Sequence, residues 1–258
     1  MSTLLMRLSS PLQAWGLDDK FDRRGTMREP TKSGVVGLLA AALGRGRDEE
    51  VGDLSRLRFG VRIDQPGQLL RDFHTARHSE GKPPYVSERY YLADAVFLAG
   101  VEGDAAFMRE LDDALRSPAF PLYLGRRSCP PEGRVSLGVR GVPLERALRE
   151  EPWQAGDWHR KRMLRQAGDL HRKRVEEPAQ ASAEPAQASA EPARLTLVVD
   201  AGQPGELRRR DMPLSFSQAH RRYAFRYVDD RVEAVIVGEE AISAAGAAEH
   251  DPFAELEG

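Results

Sequence analysis

Cysteine is nearly absent from this chain of 258 residues, in which Cys129 stands alone. One thiol excludes an internal disulfide and any zinc site built on paired thiolates, and it suits a reducing cytoplasm. Long apolar runs are missing too. No stretch approaches the roughly 20 residues that a membrane-spanning helix needs. The first residues lack the basic segment and apolar stretch of a secretory signal, so a cytoplasmic protein with no membrane contact is expected. The six histidines are scattered. None forms a His-x-x-x-His pair with a carboxylate partner, so neither a metal nor another cofactor is expected. Gly34-x-x-Gly37 and Gly44-x-Gly46 do not lead into Gly-Lys-Ser/Thr, and no Gly-x-Ser-x-Gly elbow occurs. Walker-type phosphate binding and the serine-hydrolase elbow are therefore set aside.

A strong net charge is also lacking, at -2 overall, but the charge is unevenly placed. Arginine clusters at Arg23-Arg24, Arg126-Arg127, Arg208-Arg209-Arg210 and Arg221-Arg222, whereas acid gathers at Asp48-Glu49-Glu50, Glu176-Glu177 and beyond Glu249. A neutral total can conceal the basic face that nucleic-acid binding requires.

What is present begins with Leu4 to Leu8, an apolar strand, followed by a polar loop from Ser9 to Pro30 that carries Gln13-Ala14-Trp15-Gly16. Ser33 to Leu43 reads as a helix apolar nearly all round, capped by Thr31 or Ser33 and closed by Gly44. Lys32 is the odd residue there. A cation at a helix N-terminus opposes the macrodipole, so Lys32 is either a solvated lysine or one wall of a phosphate site.

Arg58 to Asp64 alternates like a half-buried strand, Gln65-Pro66-Gly67 turns, and Leu69 to His74 returns as its hairpin partner. Thr75 to Glu88 has no apolar periodicity and contains Gly81, Pro83 and Pro84, which predicts a finger rooted in two strands, the second being Arg89 to Ala99. A helix is expected from Asp104 to Leu115, a short strand at Phe120 to Leu124, a basic loop from Gly125 to Pro131, a strand at Val135 to Val139 and a helix at Pro143 to Arg149. With the first hairpin as an elaboration, the order is the β-α-β-β-α-β, ferredoxin-like α+β plan used by RNA-recognition modules.

Residues 151–193 differ in kind. Gln154-Ala-Gly-Asp-Trp-His-Arg-Lys-Arg162 recurs as Gln166-Ala-Gly-Asp-Leu-His-Arg-Lys-Arg174, and Glu177 to Ala183 recurs as Glu184 to Ala190. Two adjacent tandem duplications suggest a disordered linker, basic and then low in complexity. A small β-rich part is expected over 194–242: a strand from Arg194 to Asp200, a basic loop from Arg208 to Pro213, and strands around a turn at Asp229-Asp230, with a frayed tail over 243–258.

Two chemistries fit these residues. Lys32 with Ser33, the Arg126-Arg127-Ser128 loop, Arg77 and Arg89 offer contacts to phosphates, and Trp15, Tyr85 and Tyr90 offer rings for stacking bases. His74, with His78, Lys82 or a tyrosine, could instead serve a metal-free ribonuclease in acid–base transfer at a 2′-hydroxyl. The bland alternative for His74 is local packing or RNA contact.

Pro11-Leu-Gln-Ala-Trp-Gly16, Pro30 to Leu39, Arg71-Asp-Phe-His-Thr75 and Tyr123 to Pro130 together resemble the CasD proteins. These are the subtype I-E members of the fifth CRISPR-associated family, in the RAMP superfamily. The resemblance covers residues 1–150 well and 194–237 loosely, and the repeats depart from it. It implies a non-catalytic subunit of Cascade that binds the 5′ handle of the crRNA. A β-hairpin thumb, here about 73–91, would project over the guide. The implied neighbours are the adjacent backbone subunit and the large PAM-recognising subunit, with target DNA met through the complex. On this basis Gln13, Trp15, Lys32, Ser33, His74, Arg77, Tyr85, Arg89, Arg126, Arg127 and Ser128 are the expected RNA contacts. A related protein of another subtype is itself the nuclease that processes repeat RNA, which keeps metal-independent endoribonuclease activity open as the alternative.

Overall fold

The computed structural model describes residues 1–16, 23–76, 85–163, 165, 193–203 and 207–235. Its centre is an antiparallel sheet in which β1 (Ser2–Gln13) and β5 (Tyr85–Gly103) lie side by side. Outward from that pair the strand order is β6-β1-β5-β3-β7-β9-β8, with β3 (Arg58–Gln65), β6 (Ser136–Arg140), β7 (Ala193–Asp200), β8 (Arg208–Ser215) and β9 (Arg222–Val235). The molecule is thus a mixed α/β protein built on one large antiparallel sheet.

Alternation along β1 explains the two layers that cover it. Leu4, Met6 and Leu8 face a cluster shared with Val35, Val36 and Leu39 of α1 (Lys32–Ala42) and with Met108, Leu111 and Leu115 of α3 (Ala105–Arg116). Leu5 points the other way, into a smaller cluster with Leu98, Leu144, Leu148, Leu197 and Val199, beneath α4 (Leu144–Glu150). Thr31 caps α1 by accepting from the Gly34 N–H, and Asp104 caps α3 by accepting from Ala106 and Phe107. A single helical turn, α2 (Gly52–Ser55), precedes β3.

Several expectations need correcting. β1 runs on to Gln13, because its ladder with β5 continues as far as Gln13 opposite Leu92, so the polar loop begins later than the residue types suggest. β3 does not pair with β4 (Gln68–Ala76) as a hairpin; β3 lies between β5 and β7, whereas β4 pairs with the first half of β5. β5 is one strand of 19 residues that carries two ladders in turn along one edge, first with β4 and then with β3. It changes partner near Asp94, whose positive φ of 53° marks the kink. Phe120 to Leu124 forms no strand, being held by irregular backbone bonds such as Ala119 N–H to the Ala42 carbonyl. Arg208 to Pro213 is strand rather than loop, and β9 runs straight through Asp229 and Asp230 because β7 pairs along its whole length.

The first repeat copy is packed where a disordered linker was expected. Trp153 and Ala155 cluster with Leu195, and 157–163 is helical. The Trp153 indole donates to the Asp64 carbonyl at 2.9 Å, and Arg62 with Asp64 forms a fully buried ion pair at 2.7 Å beneath it. The second copy, the low-complexity repeat and the tail lie outside the described residues.

Candidate nucleic-acid interface

β4 and the first half of β5 form an arm, and the two-residue strand β2 (Arg23–Arg24) pairs in parallel on the other side of β5. The register sets which side chains share a face. Asp72 is opposite Arg89, His74 opposite Ser87, and Ala76 opposite Tyr85. His74, Tyr85 and Arg89 therefore lie on one face, together with Tyr91. Tyr85 is exposed, and the Nε of Arg89 is buried with no hydrogen-bond partner among the described residues. His74 Nε2 sits 2.5 Å from Asp72 Oδ2, both side chains more than two-fifths exposed. Arg77, His78, Lys82 and the tip over 77–84 lie outside the described residues.

The Gly-Arg-Arg loop reaches this same face. Arg126 stacks over the Tyr91 ring, 4.7 Å from its centroid. Its guanidinium donates to the carbonyls of Tyr90 at 3.0 Å, Arg24 at 2.8 Å and Gly25 at 3.0 Å. Three carbonyls and a ring consume that side chain, so Arg126 is a strut between the loop, the arm and β2 rather than a phosphate contact. Arg127 and Ser128 remain exposed beside it. Cys129 turns inward, and burial pushes its thiol up from the ordinary value against the pull of Ser128 and Arg126.

The loop is fixed from below by the end of β1. The Ala14 N–H donates to the Leu124 carbonyl, and Gly125 has φ +84 with the Ala14 carbonyl oxygen 1.6 Å from where a Cβ would stand. Trp15 presses on Gly34 at the start of α1, with a ring carbon 2.7 Å from the Cβ position there. The expectation that Gln13 and Trp15 touch RNA is corrected accordingly, since both are fully buried. Gln13 donates to the carbonyls of Leu8 and Ala95 and accepts from the Trp15 indole at 3.1 Å, an arrangement that leaves neither side chain for a ligand. Ser33 is buried against Thr31 at 3.3 Å.

Lys32 is corrected as well. Its ammonium is buried on Asp200 at 2.8 Å, and its backbone N–H donates to Asp211 at 2.9 Å. The anion at this helix N-terminus is thus an internal carboxylate, which serves the macrodipole as a phosphate would. Arg226 closes the network, at 2.6 Å from both Asp200 and Asp211. Burial alone would lower the guanidinium's pKa, but the two carboxylates outweigh it and push it up. Residue types did not reveal this network. The signal available was a lone charge at an inward position of each alternating strand: Asp200 after Leu197-Val198-Val199, and Arg226 between Phe225 and Tyr227.

The structure therefore puts His74, Tyr85 and Arg89 on one face of the arm and leaves Arg127 and Ser128 exposed on the loop that Arg126 anchors at its root, whereas Gln13, Trp15, Lys32 and Ser33 are buried. Among the described residues no group of three or more His, Cys, Asp or Glu side chains could hold a metal ion, and no helix is long and apolar enough to cross a membrane. Residues 3–229 match the family described as CRISPR-associated protein (Cas_Cas5). The chain belongs to the Cas5 family of CRISPR-associated proteins. Among Cas5 relatives, it is 34% identical over 174 residues to the Escherichia coli (strain K12) protein named CRISPR system Cascade subunit CasD, a match spanning 58% of this chain and 78% of that one. A solved structure described as a Cas protein matches with TM-score 0.63 and 36% identity over 90% of this chain and 95% of that one. A chain of a CRISPR RNA-guided surveillance complex matches with TM-score 0.68 and 30% identity over 90% of each.

Proposed function

We propose that the chain is a non-catalytic crRNA-binding subunit of a type I-E CRISPR Cascade surveillance complex in the cytoplasm. In this role it caps the 5′ handle of the guide and contacts the adjacent backbone subunit and the large PAM-recognising subunit. The observation that supports the reading is the arm, where the β4–β5 register puts His74, Tyr85 and Arg89 on one face and the Arg126 strut anchors the loop carrying exposed Arg127 and Ser128 at its root. A ring for stacking, guanidinium groups for phosphates and a hydroxyl for a 2′-OH or phosphate are the groups that single-stranded RNA requires. The strand order β6-β1-β5-β3, with α1 and α3 on one side, is the order of a ferredoxin-like β-α-β-β-α-β unit, which supports placing this subunit among RNA-recognition folds.

Holding one RNA end fixes the register of the guide, while base pairing reads the target and the arm lies over the strand. The test is co-purification of crRNA with the complex for Arg89→Ala/Arg127→Ala. Losing two charge-assisted contacts should weaken handle binding by about tenfold or more at unchanged thermal stability. Full crRNA occupancy with the native 5′ end would reject the reading.

The His74–Asp72 pair favours one alternative, since a carboxylate that orients an imidazole is a common arrangement for general acid–base transfer. Under that reading labelled repeat RNA is cut without metal and His74→Ala abolishes the cut. Binding without cleavage upholds the non-catalytic role.

A further inference from the structure

The arginine clusters at 208–210 and 221–222 have no part in the interface above. They flank the outer strand pair of the sheet, β8 and β9. Side chains along β9 alternate in role. Arg226 and Val228 point inward and are buried, whereas Tyr223, Phe225 and Tyr227 lie on the opposite face. That face continues from the one that α4 covers, because Arg231 further along it reaches Glu145 of α4 at 2.6 Å. The helix ends its cover there. Phe225 is 55% exposed at the centre of the uncovered stretch, and an exposed Arg208 guanidinium stacks on its ring, 4.6 Å from the centroid.

Charge singles out the occupant. Between residues 207 and 225 the only acid is Asp211, which is buried and committed to Arg226 and Lys32. Arg209 pairs with Glu29, while Arg208, opposite Tyr227, and Arg221, just before β9, are exposed beside the aromatic strip. An aromatic strip ringed by guanidinium groups complements a polyanion that carries planar rings. Strand geometry also fits, because rings two residues apart stand about 6.8 Å apart, twice the 3.4 Å rise of stacked bases, so that one base can enter between neighbours.

We infer that the open face of β8 and β9 is a second platform for single-stranded RNA, separate from the arm, on which bases stack against Phe225 and Tyr227 while Arg208 and Arg221 hold phosphates. The choice of RNA over DNA rests on the proposed role in a crRNA complex; the platform itself does not.

The test uses the full chain with fluorescein-labelled oligouridylate, read by anisotropy. Phe225→Ala should weaken binding about five- to hundredfold, the range for losing one stacked base, and Phe225→Tyr should restore it. Arg208→Ala/Arg221→Ala should weaken binding and flatten its salt dependence. Because Phe225 is exposed, thermal unfolding should not move. Unchanged affinity of Phe225→Ala overturns the platform, and equal or tighter binding of oligodeoxythymidylate overturns its assignment to RNA. Loss of subunit association in Phe225→Ala with oligouridylate binding intact would make this face a protein interface instead. Arg89→Ala/Arg127→Ala, assayed in parallel for crRNA co-purification, reports on the arm alone, so either site can fail without the other.

Discussion

Lys32 occupies a position where an isolated helix would prefer an acid, and the protein supplies that acid from two strands far along the chain. Its ammonium meets Asp200, its N–H meets Asp211, and Arg226 bridges both carboxylates. Two cations and two anions balance, and Asp200 also accepts from the Phe59 N–H at 2.9 Å, so the charges are well partnered. Removing one partner from such a network leaves an uncompensated buried charge, which costs about 3–5 kcal/mol. Lys32→Ala should therefore depress the thermal midpoint steeply, whereas Arg127→Ala, at an exposed position, should leave it within a degree or so. Guanidinium denaturation of the two variants distinguishes this from an RNA-contact role for Lys32, under which stability would be kept and only RNA affinity lost.

At the scale of elements, the site depends on a stack of three pieces of backbone: the end of β1, the start of α1 and the turn at Gly125. Gly125 is the joint. Its φ of +84 disfavours any side chain, and the Ala14 carbonyl leaves no room for one. Gly125→Ala should force the loop off β1, loosen the Arg126 strut from Tyr91 and lower crRNA co-purification more than it lowers the thermal midpoint. Equal retention of RNA in Gly125→Ala would mean that the loop geometry is irrelevant to the interface. These elements differ in how plainly the sequence announces them. Helices α1, α3 and α4 follow from caps and apolar spacing, and Leu69 to His74 and Arg89 to Ala99 are legible as the strands of the arm. The partner of β4 was not legible, because β3, a turn and β4 read locally as a hairpin. Only the length of β5, which runs past its kink at Asp94 to serve both ladders, decides the pairing. Gln13 and Trp15 misled for a related reason. A polar and an amphipathic side chain in sequence look like surface groups, yet they satisfy each other and two carbonyls at the buried end of a strand.

The largest scale concerns how the last strands belong to the rest. Read from composition, 194–242 is a small separate part behind a linker. The ladder between β3 and β7 instead extends the central sheet, and Leu197 and Val199 enter the same cluster as Leu5, Leu98, Leu144 and Leu148. Burial of those two side chains contributes on the order of 1.5–3 kcal/mol each. Beyond this, Asp200, Asp211 and Arg226 neutralise Lys32, Arg209 pairs with Glu29, and the Pro213 carbonyl accepts from Ser55 at 2.6 Å. A chain ending at residue 163 would lose all of these at once. It would also leave Lys32 buried without a counter-ion and the edge of β3 unpaired. Those losses rival the whole stability of a typical domain, about 5–15 kcal/mol. Residues 1–163 expressed alone should accordingly show no cooperative thermal transition by circular dichroism, and the full chain should unfold in a single step in which the Trp15 and Tyr227 environments are lost together. A sharp transition for 1–163 near that of the full chain would establish two independent folding units and would overturn the view that the buried charge network makes them one.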